Sequence, residues 1–257
     1  MRCGVGHDGV VVMRKLGGTM VTVMGVLALS GCVGGPSEVE APPGDEMSIL
    51  FLGNSLTSTN NLPGIVERLL EAGSGEDVYM ESIAPPNWGL QDHWTGRARE
   101  VIALGWDIVV MQQGPSATEG RPSLLDFSDA FADEIRAARG TPALYMVWPA
   151  LARFFDYDGV FDSYQTAAMN VDGYFFPSGE AWRVAWETDP NVALYGSDEF
   201  HPSALGTYIA ALVMYEQISG LDVRAGYGSY DEMCMNFSYV AVQPVESATE
   251  QSGSNER

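Results

Sequence analysis

"SILFLGNSLTSTNNLP", residues 48–63, decides how this chain is to be read. An apolar run from Ile49 to Leu52 stops at Gly53. A cluster of turn- and cap-forming residues follows, and Pro63 then opens an amphipathic stretch. A buried strand that enters a helix through a short polar loop is the repeating unit of a parallel sheet. Ser55 lies in that loop. It suits a helix cap, as do Asn54, Thr57, Ser58 and Asn60, and it also suits a nucleophile held at the end of a strand.

The same alternation continues downstream. "DVYMESIA" (77–84), "DIVVMQQ" (107–113) and "ALYMVWP" (143–149) read as further buried strands. Helical periodicity marks 61–73, 90–105, 123–140 and 203–220, with shorter helices over 160–171 and 178–187. The strands are almost wholly apolar, as required when helices cover both faces of a sheet. The order βαβαβα predicts a three-layer α/β/α sandwich, flavodoxin-like, with a central parallel sheet of about five strands. Such sheets bind ligands outside the carboxyl ends of their strands. Ser55, residues 85–90 and residues 112–116 all follow strand ends, so they are expected at one edge.

A serine nucleophile needs a base. The chain has three histidines: His7, His93 and His201. His201 lies in "SDEFHPSALG" (197–206), where Pro202 favours the first turn of a helix and holds His201 extended before it. Asp198 precedes it by three residues, close enough for one tight turn to bring the carboxylate to the ring. The plain alternative is an acidic surface turn capping a helix. His93 lies on an expected helix beside Trp88 and Trp94; its only neighbouring acid, Asp92, points elsewhere, so it shapes a pocket at most. Trp88, Trp94, Phe154, Phe155 and Tyr157 are candidate walls for an acyl or sugar group, or ordinary core.

"GNSLT" (53–57) and "DEFHP" (198–202), set around an α/β body, resemble the first and last blocks of the SGNH or GDSL hydrolase superfamily. The resemblance runs over about residues 48–220. It implies a serine esterase with Ser55 as nucleophile, His201 as base and Asp198 as its orienting carboxylate, with no cofactor. It further implies an oxyanion hole built from the N–H groups of Ser55 and Gly89, Gly89 matching the second-block glycine. The third block departs from the family: an asparagine is usual there, and this chain reads Gln112-Gln113-Gly114-Pro115-Ser116. Gln112 or Ser116 is left as the side-chain donor. The implied substrate is a small-molecule or glycan ester carrying O-acetyl or short acyl groups. An acyltransferase on surface glycans and a glycan-binding protein with a decayed site are the other two readings.

The N-terminus has a different composition. From Met13, the better start, Arg14 and Lys15 precede an apolar stretch that ends in "LSGC" (29–32). Residues 1–32 read as a secretion signal, and "LSGC" resembles the bacterial lipobox, whose cysteine, here Cys32, carries the lipid. The expected organisation is then a flexible Gly/Pro/acid tether over 33–46, a hydrolase domain over 47–240 and a polar tail over 241–257. The expected location is the periplasmic face or cell surface, with membrane contact through the anchor alone. Cys3 leaves with the signal and Cys234 has no partner, so no disulfide framework is expected. With two histidines left and no cysteine cluster, no metal site is expected. The formal net charge is −21, and Lys15 is the only lysine. A surface that acidic repels nucleic acid and anionic headgroups.

Overall fold

The computed structural model describes residues 39–223. The signal, Cys32, Cys234 and the polar tail lie outside them. Five strands form one sheet: β1 (Met47–Leu52), β2 (Val78–Ile83), β3 (Ile108–Met111), β4 (Thr141–Tyr145) and β5 (Tyr174–Phe176). Their order is β2-β1-β3-β4-β5 and every pairing is parallel. This is the flavodoxin-like order anticipated from the alternation, with its switch point between β1 and β3.

The helices are α1 (Ser55–Ser58), α2 (Leu62–Ser74), α3 (Leu90–Thr95), α4 (Ala98–Ile102), α5 (Arg121–Ala137), α6 (Tyr157–Asn170), α7 (Ser178–Thr188) and α8 (Ala204–Ser219). The chain leaves β1 toward β2 on one side and then steps through β3, β4 and β5 on the other. Right-handed crossovers therefore place α2 on one face and α3 to α6 on the opposite face. In agreement, α2 packs on α8 and α8 on α7, while α5 packs on α3 and α6. Ile49 to Leu52 and Ile108 to Met111 are buried between these layers, which is why neither strand alternates polar with apolar.

Two helices lean on local chemistry at their ends. Pro63 sits in the first turn of α2, and Gly75 closes it in the left-handed region at φ 75°. Ser203 caps α8, its Oγ accepting from Gly206 N–H at 3.0 Å. Gly206 itself admits no side chain: a Cβ there would lie 2.4 Å from the Trp182 ring and 2.3 Å from the Leu194 carbonyl oxygen.

Three expectations from sequence change in the folded chain. The single helix over 90–105 is two short ones, because Gly96 is extended (φ −87°, ψ −153°) and packs under the Trp88 ring. The strand expected over 143–149 begins at Thr141 and ends at Tyr145; Met146 N–H still donates to Phe176 O of β5 at 3.0 Å, and Met146 to Trp148 run on fully buried. The edge strand β5 has only three residues, too few to show a period-2 pattern. No helix among the described residues is long and apolar enough to cross a membrane.

Candidate active site

The loop after β1 is pinned at almost every polar atom. Gly53 N–H donates to Ile83 O at 3.0 Å. The Gly53 carbonyl accepts from His93 Nε2 at 2.8 Å. Asn54 N–H donates to Gln112 Oε1 at 2.9 Å, and Thr57 Oγ1 donates to the same oxygen at 2.8 Å. The Asn54 side chain spans both ways: Oδ1 accepts from Leu56 N–H at 3.0 Å, and Nδ2 donates to Trp88 O at 2.9 Å. Asn54 is therefore the cap of α1, which frees Ser55 from that duty. Gly53 has no alternative, since a Cβ would fall 2.2 Å from Thr57 Oγ1.

Across the carboxyl edge of the sheet, residues 196–203 present His201. Gly196 N–H donates to His201 O at 2.7 Å, and Trp148 Nε1 donates to Phe200 O at 3.0 Å. Glu199, at φ 57°, supplies the left-handed residue of the turn. Asp198 Oδ1 accepts from the N–H groups of Phe200 (3.1 Å) and His201 (2.9 Å), while Oδ2 lies 2.5 Å from His201 Nδ1. The bond from His201, helped by those two backbone donors, lowers the Asp198 carboxyl to about 2. His201 Nε2 lies 2.9 Å from Ser55 Oγ. A carboxylate, an imidazole and a hydroxyl are thus in line at the switch point. With Nδ1–H held by Asp198, Nε2 is the nitrogen free to accept the Ser55 proton.

Ser55 opens into a cleft of about 380 Å³, walled by Trp88, Gly89, Gln113, Ser116 and Phe200. Among the described residues there is no group of three or more side chains able to hold a metal ion.

No protein-family model matches the chain, and no curated protein matches it. Solved structures do. A protein from Slackia heliotrinireducens, described as a candidate SGNH hydrolase, is 25% identical with a TM-score of 0.57, over 68% of this chain and 100% of that one. This chain has the SGNH hydrolase fold. A DUF4886 family protein from Bacteroides uniformis matches with a TM-score of 0.62 at 18% identity, over 77% of this chain and 93% of that one. An acetyl xylan esterase from Geobacillus stearothermophilus matches with a TM-score of 0.53 at 17% identity, over 67% and 94%. At the level of the superfamily the Slackia match supports a hydrolase, and the other two likenesses show the fold.

Within this SGNH fold the oxyanion side departs from the sequence expectation. Gln112 does not reach the cleft. It is fully buried, its Oε1 holding the Asn54–Thr57 turn and its Nε2 donating to Gln113 O. A residue so close to the sheet spends its amide on orphaned backbone groups. Ser116 does line the cleft, but its hydroxyl donates to Gly114 O at 2.8 Å and accepts from Gln113 Nε2 at 2.8 Å. Gly89 also lines the cleft, yet its N–H donates to Asp92 Oδ2 at 2.8 Å. The chain enters α3 at Gly89, so the third helical residue reaches back to cap it. Ser55 N–H has no hydrogen-bond partner among the described residues.

Sequence reasoning gave no role to Gln113. Its Oε1 accepts from Leu90 N–H, and its Nε2 donates to Ser116 and to Gly120 O, so it knits the cleft wall. The aromatic candidates divide. Trp88 walls the cleft, as does Phe200, which was not among them. Trp94 packs edge-on to Phe131 at 5.0 Å. Phe154 lines a separate cavity with Trp186 and Tyr195, Tyr157 is buried, and Phe155 is 79% exposed.

Proposed function

We propose that this protein is an exported serine esterase, tethered by lipid on Cys32, that removes acetyl or short acyl groups from small-molecule or glycan esters. The observation that carries the reading is the 2.9 Å approach of His201 Nε2 to Ser55 Oγ, with Asp198 on the far nitrogen. His201 Nε2 takes the hydroxyl proton as Oγ adds to the ester carbonyl. The oxyanion forms beside Ser55 N–H. Collapse breaks the C–O bond to the alcohol, which leaves with the proton from His201. Water then adds to the acyl-enzyme, giving its proton to His201, and the acid departs as Oγ is reprotonated. Asp198 holds the ring orientation and stabilises the imidazolium in both halves. The cleft beside Ser55, about 380 Å³ and walled by Trp88 and Phe200, has room for the acyl group of such an ester.

A fluorophosphonate probe tests the nucleophile. Labelling should map to Ser55, and Ser55→Ala should lose both labelling and hydrolysis of p-nitrophenyl acetate while unfolding like the parent. Rates should fall along a series of p-nitrophenyl esters of increasing chain length. Modification of a different serine, or an active Ser55→Ala protein, sinks the reading. For the anchor, mass spectrometry should find Cys32 as a lipid-bearing first residue, and Cys32→Ser should release the protein from membranes.

A further inference from the structure

His93 is fully buried and takes no part in the proton transfers above. Its Nε2 lies 2.8 Å from the Gly53 carbonyl oxygen. The acceptor is a carbonyl, so Nε2 carries the proton and Nδ1 holds a lone pair. Nδ1 is buried with no hydrogen-bond partner among the described residues. Loss of hydration on burial pushes the His93 pKa below the ordinary histidine value, which keeps the ring neutral. A side chain present only to fill space would not carry an unpaired nitrogen into the core, a burden of about 1–3 kcal/mol.

The sheet has no donor for the Gly53 carbonyl. Gln112 N–H is spent one residue earlier, on Leu52 O at 2.8 Å. His93 is thus the group that satisfies the first carbonyl beyond β1, two residues before Ser55. Its ring is steadied by Trp88, edge-on at 5.0 Å, and the Trp88 carbonyl in turn holds the Asn54 amide. The segment Trp88–His93 therefore grips the nucleophile loop at two successive residues.

We propose that His93 is a positioning residue: its Nε2–H fixes the plane of the Gly53–Asn54 peptide, and with it the line from Ser55 Oγ to His201. The inference rests on the esterase reading of Ser55. Misplacement of a reacting atom by about 1 Å costs about 10²-fold in rate. His93→Leu should therefore lower kcat by about 10²-fold with KM unchanged. His93→Gln, whose amide nitrogen falls near the position of Nε2, should recover most of that loss. If His93→Leu does not fold, His93→Asn, whose amide stops short of Gly53, takes its place. In ¹⁵N-labelled full-length protein, the His93 ring should show a protonated Nε2 and a bare Nδ1. A protonated Nδ1, or a His93→Leu enzyme with the parent kcat, overturns the proposal. If the parent hydrolyses no ester, the activity reading falls, and the His201 ring resonances decide. They should shift in His93→Leu and stay in place in His93→Gln; no shift in either overturns the positioning role.

Discussion

Gln112 makes the residue scale concrete. One buried oxygen accepts from both Asn54 N–H and Thr57 Oγ1. Gln112→Ala leaves both donors unpaired in the core and should cost about 1–3 kcal/mol of stability. The urea midpoint should fall accordingly; Ser116→Ala, which removes a buried hydroxyl bonded to Gly114 O and Gln113 Nε2, should lower it by less, because Gln113 Nε2 keeps Gly120 O and Gly114 O keeps the Tyr164 hydroxyl. Asp198 carries a pH signature. Its carboxyl is lowered from 3.8 to about 2, so the folded state favours the ionised form. That contribution is fully present above the ordinary carboxylate value and is lost as pH falls toward about 2. The difference in Tm between parent and Asp198→Asn should accordingly shrink over that interval. A difference that persists at the acid end would mean the variant disturbs packing rather than charge.

At the scale of elements, the short helix α3 bears on the site from two directions. Its interior supplies His93, and its first turn takes the Gly89 N–H onto Asp92. Asp92→Ala removes that cap together with a negative charge at the helix start, and should cost about 0.5–2 kcal/mol in urea denaturation. The same change frees a donor on the cleft wall, so its effect on kcat should be smaller than its effect on stability would suggest. Asp92→Asn keeps an acceptor and should recover part of the lost stability. The break at Gly96 is what lets α3 stay short: Trp88 folds over that glycine and closes the segment on itself.

For the whole molecule, charge is the dominant feature. With a net charge of −21, like charges repel across the folded surface. Screening shortens their reach from about 30 Å at 0.01 M salt to about 8 Å at 0.15 M. Tm should therefore rise with sodium chloride over this range and then level off. A flat response would show that the surface carboxylates are already offset by local partners such as Arg121–Asp162 and Arg183–Asp158.

The sheet, and the gathering of its loops at one carboxyl edge, were legible because they follow from short-range pattern. Apolar runs bounded by Gly and polar loops fix strands, 3.6-residue periodicity fixes helices, and their alternation leaves few topologies. Ser55, Asp198 and His201 were singled out by the resemblance of their two blocks to the first and last blocks of SGNH hydrolases; position and spacing alone left Ser55 equally a helix cap and residues 198–201 equally a surface turn. The tertiary structure decided how hydrogen-bond donors are shared. Asn54, rather than Ser55, caps α1. Gln112 turns to the backbone, Gly89 is spent on Asp92, and His93 reaches Gly53 across 40 residues of sequence. No spacing rule encodes those choices. A buried donor or acceptor must find a partner among whatever the packed chain brings near, and that competition is settled only after the strands and helices have docked.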